Sequence, residues 1–172
     1  MSKLIVSTVE AQTFNYDSDT TGMTFNSDGN ILRPNLIAFR ATGNNAAYVN
    51  TSPVPFPTVT YNYGGGYDNT TYTFTAPIDG LYEFTAFFGI FRVNGASGNG
   101  YPRFRTNIGG TDYDGLYVYF QAPTATAYVP GTLHDTYVMS ANDTVKVLAP
   151  SNTNWGYYSD ASELCFSGRL IG

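Results

Sequence analysis

Apolar side chains recur at every second position along much of this chain. The longest such run is Leu81 to Phe91. Tyr82, Phe84, Ala86, Phe88 and Ile90 share one parity. The other parity begins mixed, with Leu81, Glu83 and Thr85, and then turns aromatic at Phe87 and Phe91. A period of two is the mark of a strand with one face in a core. No segment sustains a helical period. The pattern predicts strands over Leu36–Ala41, Ala47–Thr51, Thr58–Asn62, Thr71–Thr75, Gly80–Val93, Arg103–Ile108, Gly115–Gln121, Thr132–Met139, Thr144–Leu148 and Leu164–Ile171. Turn-forming stretches such as "YGGGYDN", "NGASGNGYP" and "IGGTD" separate them. About ten short strands with short connections imply an all-β, two-sheet antiparallel sandwich or jelly roll.

Residues 1–33 are different. They hold one short aliphatic run, Leu4, Ile5 and Val6, and a short strand, Met23–Phe25, between turn clusters at Asp17–Gly22 and Asn26–Asn30. So few apolar residues cannot bury a core alone. The expected division is a leader over 1–33 that packs on something else, and a head over 34–172. Leu4, Ile5, Val6, Met23 and Phe25 are its candidate anchoring residues.

Composition narrows the function. Only 12% of residues are charged, whereas there are 15 Tyr and 12 Phe, which excludes a disordered chain. The formal net charge of −5 disfavours a nucleic-acid binder. Arg103 and Arg105 read as solvated strand residues or local ion pairs. One cysteine, Cys165, leaves no intrachain disulfide and reads as a small buried hydrophobe. "MSKLIVSTVEAQ" lacks the apolar run of a secretory signal, and no segment approaches the length of a membrane span. The expectation is synthesis and folding in a reducing cytoplasm, with no membrane insertion.

Phe56 is followed at fixed spacings by Asn62, Tyr67, Phe74, Gly80, Tyr82 and Phe84. This constellation resembles the signature of the complement component one-q globular head, one of the tumour-necrosis-factor-like jelly rolls. "FSGRLI", Phe166 to Ile171, resembles the last core strand of that family. "SANDTVKV" resembles its turn-plus-strand, with Asn142 where glycine is usual before Asp143. "LIAFRA" resembles its opening strand. Ala86 departs from the signature, which places an aromatic there. The resemblance spans about the last four fifths of the chain. It implies a compact homotrimer of three sandwiches around an axis. On that reading Phe87 or Phe91 packs near a threefold interface; the alternative is that a loop or the leader of the same chain covers them. The leader resembles N-terminal segments of structural and tail-associated proteins of marine viruses that infect cyanobacteria. It has neither the signal peptide nor the Gly-x-y repeat that complement proteins carry.

Catalytic chemistry has little to stand on. His134 and Asp135 are adjacent on a strand, so they point to opposite faces. One His and one Cys give no zinc spacing, and no cofactor or metal is expected. "DYDG" opens like a calcium loop but meets Pro123 where the closing acid belongs, so Asp112 and Asp114 are weak calcium ligands at best. "NTNWGYYSDAS" concentrates Trp155, Tyr157 and Tyr158 among small polar residues. That composition suits recognition of a sugar or protein, and equally suits core packing. The sequence thus points to a non-enzymatic bacteriophage surface protein, assembled in the host cytoplasm and carried on the virion. It would be a trimeric knob acting as a short fibre or tail-associated adhesin for a host-surface glycan or protein, docked on other virion proteins through residues 1–33. The alternatives are a capsid decoration or cement protein and a soluble complement-like binding protein.

Overall fold

The computed structural model describes residues 13–15, 21–33, 35–44, 48–49, 52–92, 100–119, 128–149, 155–157 and 163–172, the side chains of residues 32, 48, 49, 91, 92 and 128 excepted. The chain divides into two compact units, Met1–Leu36 and Ile37–Gly172, against the expected division near Pro34.

The first unit contains a three-stranded antiparallel sheet, β1 (Thr13–Asn15), β2 (Thr21–Phe25) and β3 (Ile31–Leu32), in the order β1-β2-β3. Its second hairpin turns on Asn26. The Asn26 side-chain oxygen accepts from the backbone N–H of Asp28 at 3.0 Å and of Asn30 at 2.9 Å. Gly29 completes the turn at φ 80°. Phe14 and Phe25 meet edge to face at 6.0 Å. Met23 and Phe25 are half-buried in β2. Leu4, Ile5 and Val6 lie outside the described residues.

The second unit is a jelly roll of two antiparallel sheets. One is built on β9 (Gly80–Arg92). Along one edge β9 pairs with β12 (Tyr128–Met139) over Gly80–Phe91. Along the other it pairs first with β15 (Leu164–Leu170) and then, at Ile90–Arg92, with β14 (Trp155–Tyr157). β4 (Ala38–Thr42) and β6 (Thr58–Tyr63) extend the sheet beyond β15, and β5 (Tyr48–Val49) pairs β14. The smaller sheet runs β11 (Thr111–Tyr117), β10 (Arg103–Ile108), β13 (Thr144–Leu148), β8 (Thr73–Thr75) and β7 (Tyr67–Asp68). The triple-glycine stretch joins the two sheets: β6 and β7 belong to different ones, so Gly64 and Gly65 (φ 75° and 69°) turn a corner between them. Asn62 closes that corner. Its side chain donates to the Tyr67 carbonyl at 2.8 Å and accepts from the Tyr67 N–H at 3.1 Å.

The core between the sheets is aromatic. Phe39, Phe56, Tyr67, Phe74, Tyr82, Phe84, Phe104 and Phe166 are all buried. Phe39 stacks on Tyr67 at 4.7 Å and on Phe74 at 5.1 Å, and meets Phe166 edge to face at 4.9 Å. The spaced residues Phe56, Tyr67, Phe74, Tyr82 and Phe84 therefore share one chamber, and the Tyr67 hydroxyl donates to the Phe56 carbonyl at 3.1 Å. Ala86 is fully buried too, paired across the sheet with Leu133 and Phe166. At the end of the sandwich, Asp143 is a buried clamp. One carboxylate oxygen accepts from the Gly109 N–H at 2.9 Å and the other from the Ser140 N–H at 2.8 Å. The preceding Asn142 takes φ 75°, a left-handed conformation that glycine and asparagine tolerate best, which explains their exchange there.

Gly168 is where this chamber tolerates no extra atom. It lies in register between Phe39 of β4 and Phe84 of β9. A Cβ there would meet the Phe84 ring at 2.5 Å and the Phe39 ring at 2.8 Å. Gly168→Ala is expected to cost about 2–3 kcal/mol, the scale of an overpacked core. Urea unfolding of the variant measures it, and an unchanged midpoint would contradict the packing described.

Candidate functional site

The two sheets turn different faces outward. On β9 the side chains Leu81, Glu83, Thr85 and Phe87 point away from the core, because Tyr82, Phe84, Ala86, Phe88 and Ile90 fill it. Register adds Val138, Thr136, His134 and Thr132 from β12. It adds Arg169, Ser167 and Cys165 from β15, and Ala38, Arg40 and Thr42 from β4. Tyr61 and Tyr63 of β6 complete the face, with stacked rings 5.6 Å apart. Val138 is 76% exposed, Tyr63 57% and Tyr61 38%.

The middle of this face is polar. Arg169 Nε donates to Glu83 Oε2 at 2.6 Å. His134 Nε2 lies 3.6 Å from Glu83 Oε1, and its Nδ1 is 3.0 Å from the Thr85 hydroxyl. Ala38, Tyr61, Glu83, Thr85, Ser167 and Arg169 line a depression of about 330 Å³ beside this group. Asp135 points to the opposite side of β12, as its adjacency to His134 requires. The face thus combines apolar side chains with a fixed cluster of Glu83, Arg169, His134 and Thr85.

The expected site residues separate. Phe87 is half-buried on the outward face, paired with Thr132 and Cys165. Phe91 belongs to β9, but its side chain lies outside the described residues. Cys165 is not a core hydrophobe; it is half-buried beside Phe87 on the outward face. Of the two readings of the Trp155 stretch, core packing describes Trp155 and Tyr157. Trp155 and Tyr157 form β14, hydrogen-bonded between β9 and β5, and are 1% and 2% exposed. Their rings serve the core and cannot reach a ligand. Tyr158 lies outside the described residues. The sequence reading missed Val138, Leu81, Tyr61 and Tyr63, although the spacing Tyr61-x-Tyr63 on a strand already set both rings on one face.

The outward face of the smaller sheet is polar at its centre, with Tyr117 exposed beside Arg103 at its edge. Arg105 Nε donates to Asp114 Oδ1 at 2.7 Å, and Arg103 Nε lies 2.9 Å from the same oxygen. Asp112 accepts from Asn107 at 2.7 Å and from Arg105 at 3.3 Å. The arginines are thus held in local ion pairs. The hydrogen bond from Asn107, with help from Arg105, holds the Asp112 carboxyl below the ordinary range. Partial burial pushes Asp114 up, but the bonds and charges of Arg103 and Arg105 together outweigh it and hold it low. These pairings occupy both carboxylates considered for calcium, and no group of three metal-ligating side chains forms among the described residues.

With this geometry in view, the comparisons are consistent. A family model for the C1q domain matches residues 38–99, which contain the whole spaced signature. The globular domain of zebrafish complement 1qA superposes with a TM-score of 0.61 at 14% identity, over 79% of this chain and 98% of that one. The fold is that of the C1q and tumour-necrosis-factor heads. Eiger TNF from S. frugiperda gives 0.64 at 8% identity, covering 80% and 93%. Murine APRIL at pH 5.0 gives 0.65 at 10% identity, covering 79% and 99%. No curated protein matches in sequence. About four fifths of this chain thus covers nearly all of each of these similar chains.

The acidic groups set a pH dependence. Asp68, bonded first by Thr70 and then by Thr71, is lowered from 3.8 to about 2, and Asp112 and Asp114 are lowered as well. Folded values below unfolded ones mean that the unfolded chain binds more protons, so stability rises with pH in that window. The contribution is complete above the unfolded carboxylate range and is lost as pH falls from about 4 to about 2. The thermal midpoint is expected to fall across that interval, and to fall less steeply in Asp68→Asn. A midpoint that holds or rises on acidification would contradict these pairings.

Proposed function

We propose that the C1q-like unit is a non-enzymatic binding head that assembles as a homotrimer through the outward face of the β9 sheet. The observation that carries this reading is the contrast between the two outward faces. The smaller sheet presents ion pairs, Lys146 and threonines over most of its outward face, with the exposed Tyr117 ring confined to the β10–β11 edge. The β9 sheet presents exposed Val138, Leu81, Tyr61 and Tyr63, with half-buried Phe87, around the Glu83 cluster. An exposed sheet face rich in apolar and aromatic groups marks an interaction surface. The trimeric habit of the similar heads supports the same arrangement.

The setting we propose is a bacteriophage particle. The leader supports it by its resemblance to virion proteins and by forming a compact unit of its own. It would dock the chain on other virion proteins, and the head would act as a short fibre or tail-associated adhesin for a host-surface glycan or protein. Three sites on one rigid head would then bind a cell surface together far better than singly.

Sedimentation equilibrium tests the assembly. The expected mass is three times 18.7 kDa at micromolar concentration. Val138→Asp is expected to weaken association by about 2 kcal/mol per interface or more, since it buries an unpaired charge. Thr73→Asp, on the smaller sheet, is expected to leave the mass unchanged. A monomer, or equal effects of the two substitutions, would overturn the reading.

A further inference from the structure

We propose that Tyr101, Tyr117 and Tyr119, with Arg103 and Asp114, form a binding site for a neutral sugar ring. The inference gives a location to the ligand of the proposed binding head, and in that sense rests on that reading. It does not require the trimer, because these residues lie away from the β9 sheet.

The site is created by an irregularity in the pairing of β10 with β11. Arg103 pairs with Tyr117, and Arg105 with Asp114. Two steps on β10 thus match three on β11, so β11 carries one extra residue. Three apart on a regular strand, Asp114 and Tyr117 would point to opposite sides. The bulge turns both toward the outward side, beside Arg103. The Val118 N–H donates to the Pro102 carbonyl at 3.2 Å, which ties the segment bearing Tyr101 and Arg103 to the one bearing Tyr117 and Tyr119. Tyr101 then meets Tyr117 edge to face at 5.7 Å and Tyr119 at 5.4 Å.

The result is a cavity of about 360 Å³, lined by Tyr101, Arg103, Asp114, Gly115 and Tyr117. That is within the size of small-ligand sites. Its chemistry is mixed. Tyr117 and Tyr119 are 61% and 50% exposed, so a broad amphipathic ring surface stands in water. Both arginine Nε atoms converge on Asp114 Oδ1. The other oxygen, Oδ2, makes no hydrogen bond or ion pair among the described residues. The Arg103 Nε atom is buried 2.9 Å from Asp114 Oδ1.

A pyranose suits these groups. Its C–H face covers a tyrosine ring, and its hydroxyls donate to a carboxylate and accept from a guanidinium. The ion pairs already hold the polar groups in place, which lowers the ordering cost of binding. Charge selects a neutral ligand. Arg103 and Arg105 are offset by Asp112 and Asp114, so neither guanidinium stands unpaired for a phosphate or an acidic sugar.

Saturation-transfer difference NMR on the full chain tests the site. The probes are the methyl glycosides of glucose, galactose, mannose and N-acetylglucosamine, with methyl sialoside and inorganic phosphate as anionic probes in parallel titrations. At least one neutral glycoside is expected to receive saturation at its ring C–H protons. Tyr117→Ala and Asp114→Asn are each expected to weaken its binding about tenfold, as loss of one stacking or charge-assisted contact would. Rescue by Tyr117→Phe would place the effect on the ring face. Silence from every neutral glycoside, unchanged binding in both variants, or preference for the anions would overturn the proposal. So would a change of oligomeric mass in Tyr117→Ala, which would make the cluster a subunit contact. A trimer that binds no glycoside removes this site and leaves the assembly reading standing; a monomer that binds one does the reverse.

Discussion

The head depends on how closely β15 lets β4 and β9 approach across Gly168. Phe39 and Phe84 occupy the space a side chain would need, and the stack of Phe39 on Tyr67 and Phe74 is built outward from there. Aromatic rings bury much area at little entropic cost, but only if their backbones can come together. The missing side chain and the large rings are thus two halves of one packing solution. The corner at Asn62 and the clamp at Asp143 keep the ends of the two sheets in the register that this chamber requires.

Once β9 gives Tyr82, Phe84, Ala86, Phe88 and Ile90 to the core, Leu81, Glu83, Thr85 and Phe87 must face out. That is why its second parity carries meaning. Glu83 and Thr85 sit in the polar cluster with Arg169 and His134, and Phe87 lies beside Cys165. The aromatic turn in the pattern marks where the outward face changes from ion pairs to apolar contact. The smaller sheet solves the same problem with Arg105, Asp112 and Asp114, whose charges satisfy one another and leave a face suited to water. The two sides of the one sandwich are therefore built differently.

Much of this was legible in the chain. Period-two alternation located β9, β10, β13 and β15 to within a residue or two, because the faces of a sandwich differ so sharply in polarity. The losses have physical causes. β14 is a three-residue strand set in a stretch of Asn, Ser and Gly, so the sequence left Trp155 and Tyr157 open between a recognition loop and core packing. β11 begins at Thr111, earlier than expected, because Gly109 and Gly110 both take positive φ, 58° and 81°, and close the hairpin in two residues. The "IGG" signal was present and was read as a longer connection. The bulge that brings Asp114 and Tyr117 together depends on counting residues across two strands, which no single segment reveals.

Hydroxyl-radical footprinting of the intact protein at micromolar concentration tests the two-sided account most directly, because tyrosines report from both sheets. In the isolated chain Tyr61 and Tyr63 are 38% and 57% exposed, and Tyr113, Tyr117 and Tyr119 are 54%, 61% and 50% exposed. The account predicts that Tyr61 and Tyr63 are protected while Tyr113, Tyr117 and Tyr119 react freely. Labelling of all five in proportion to these exposures would contradict it, and so would protection confined to the smaller sheet.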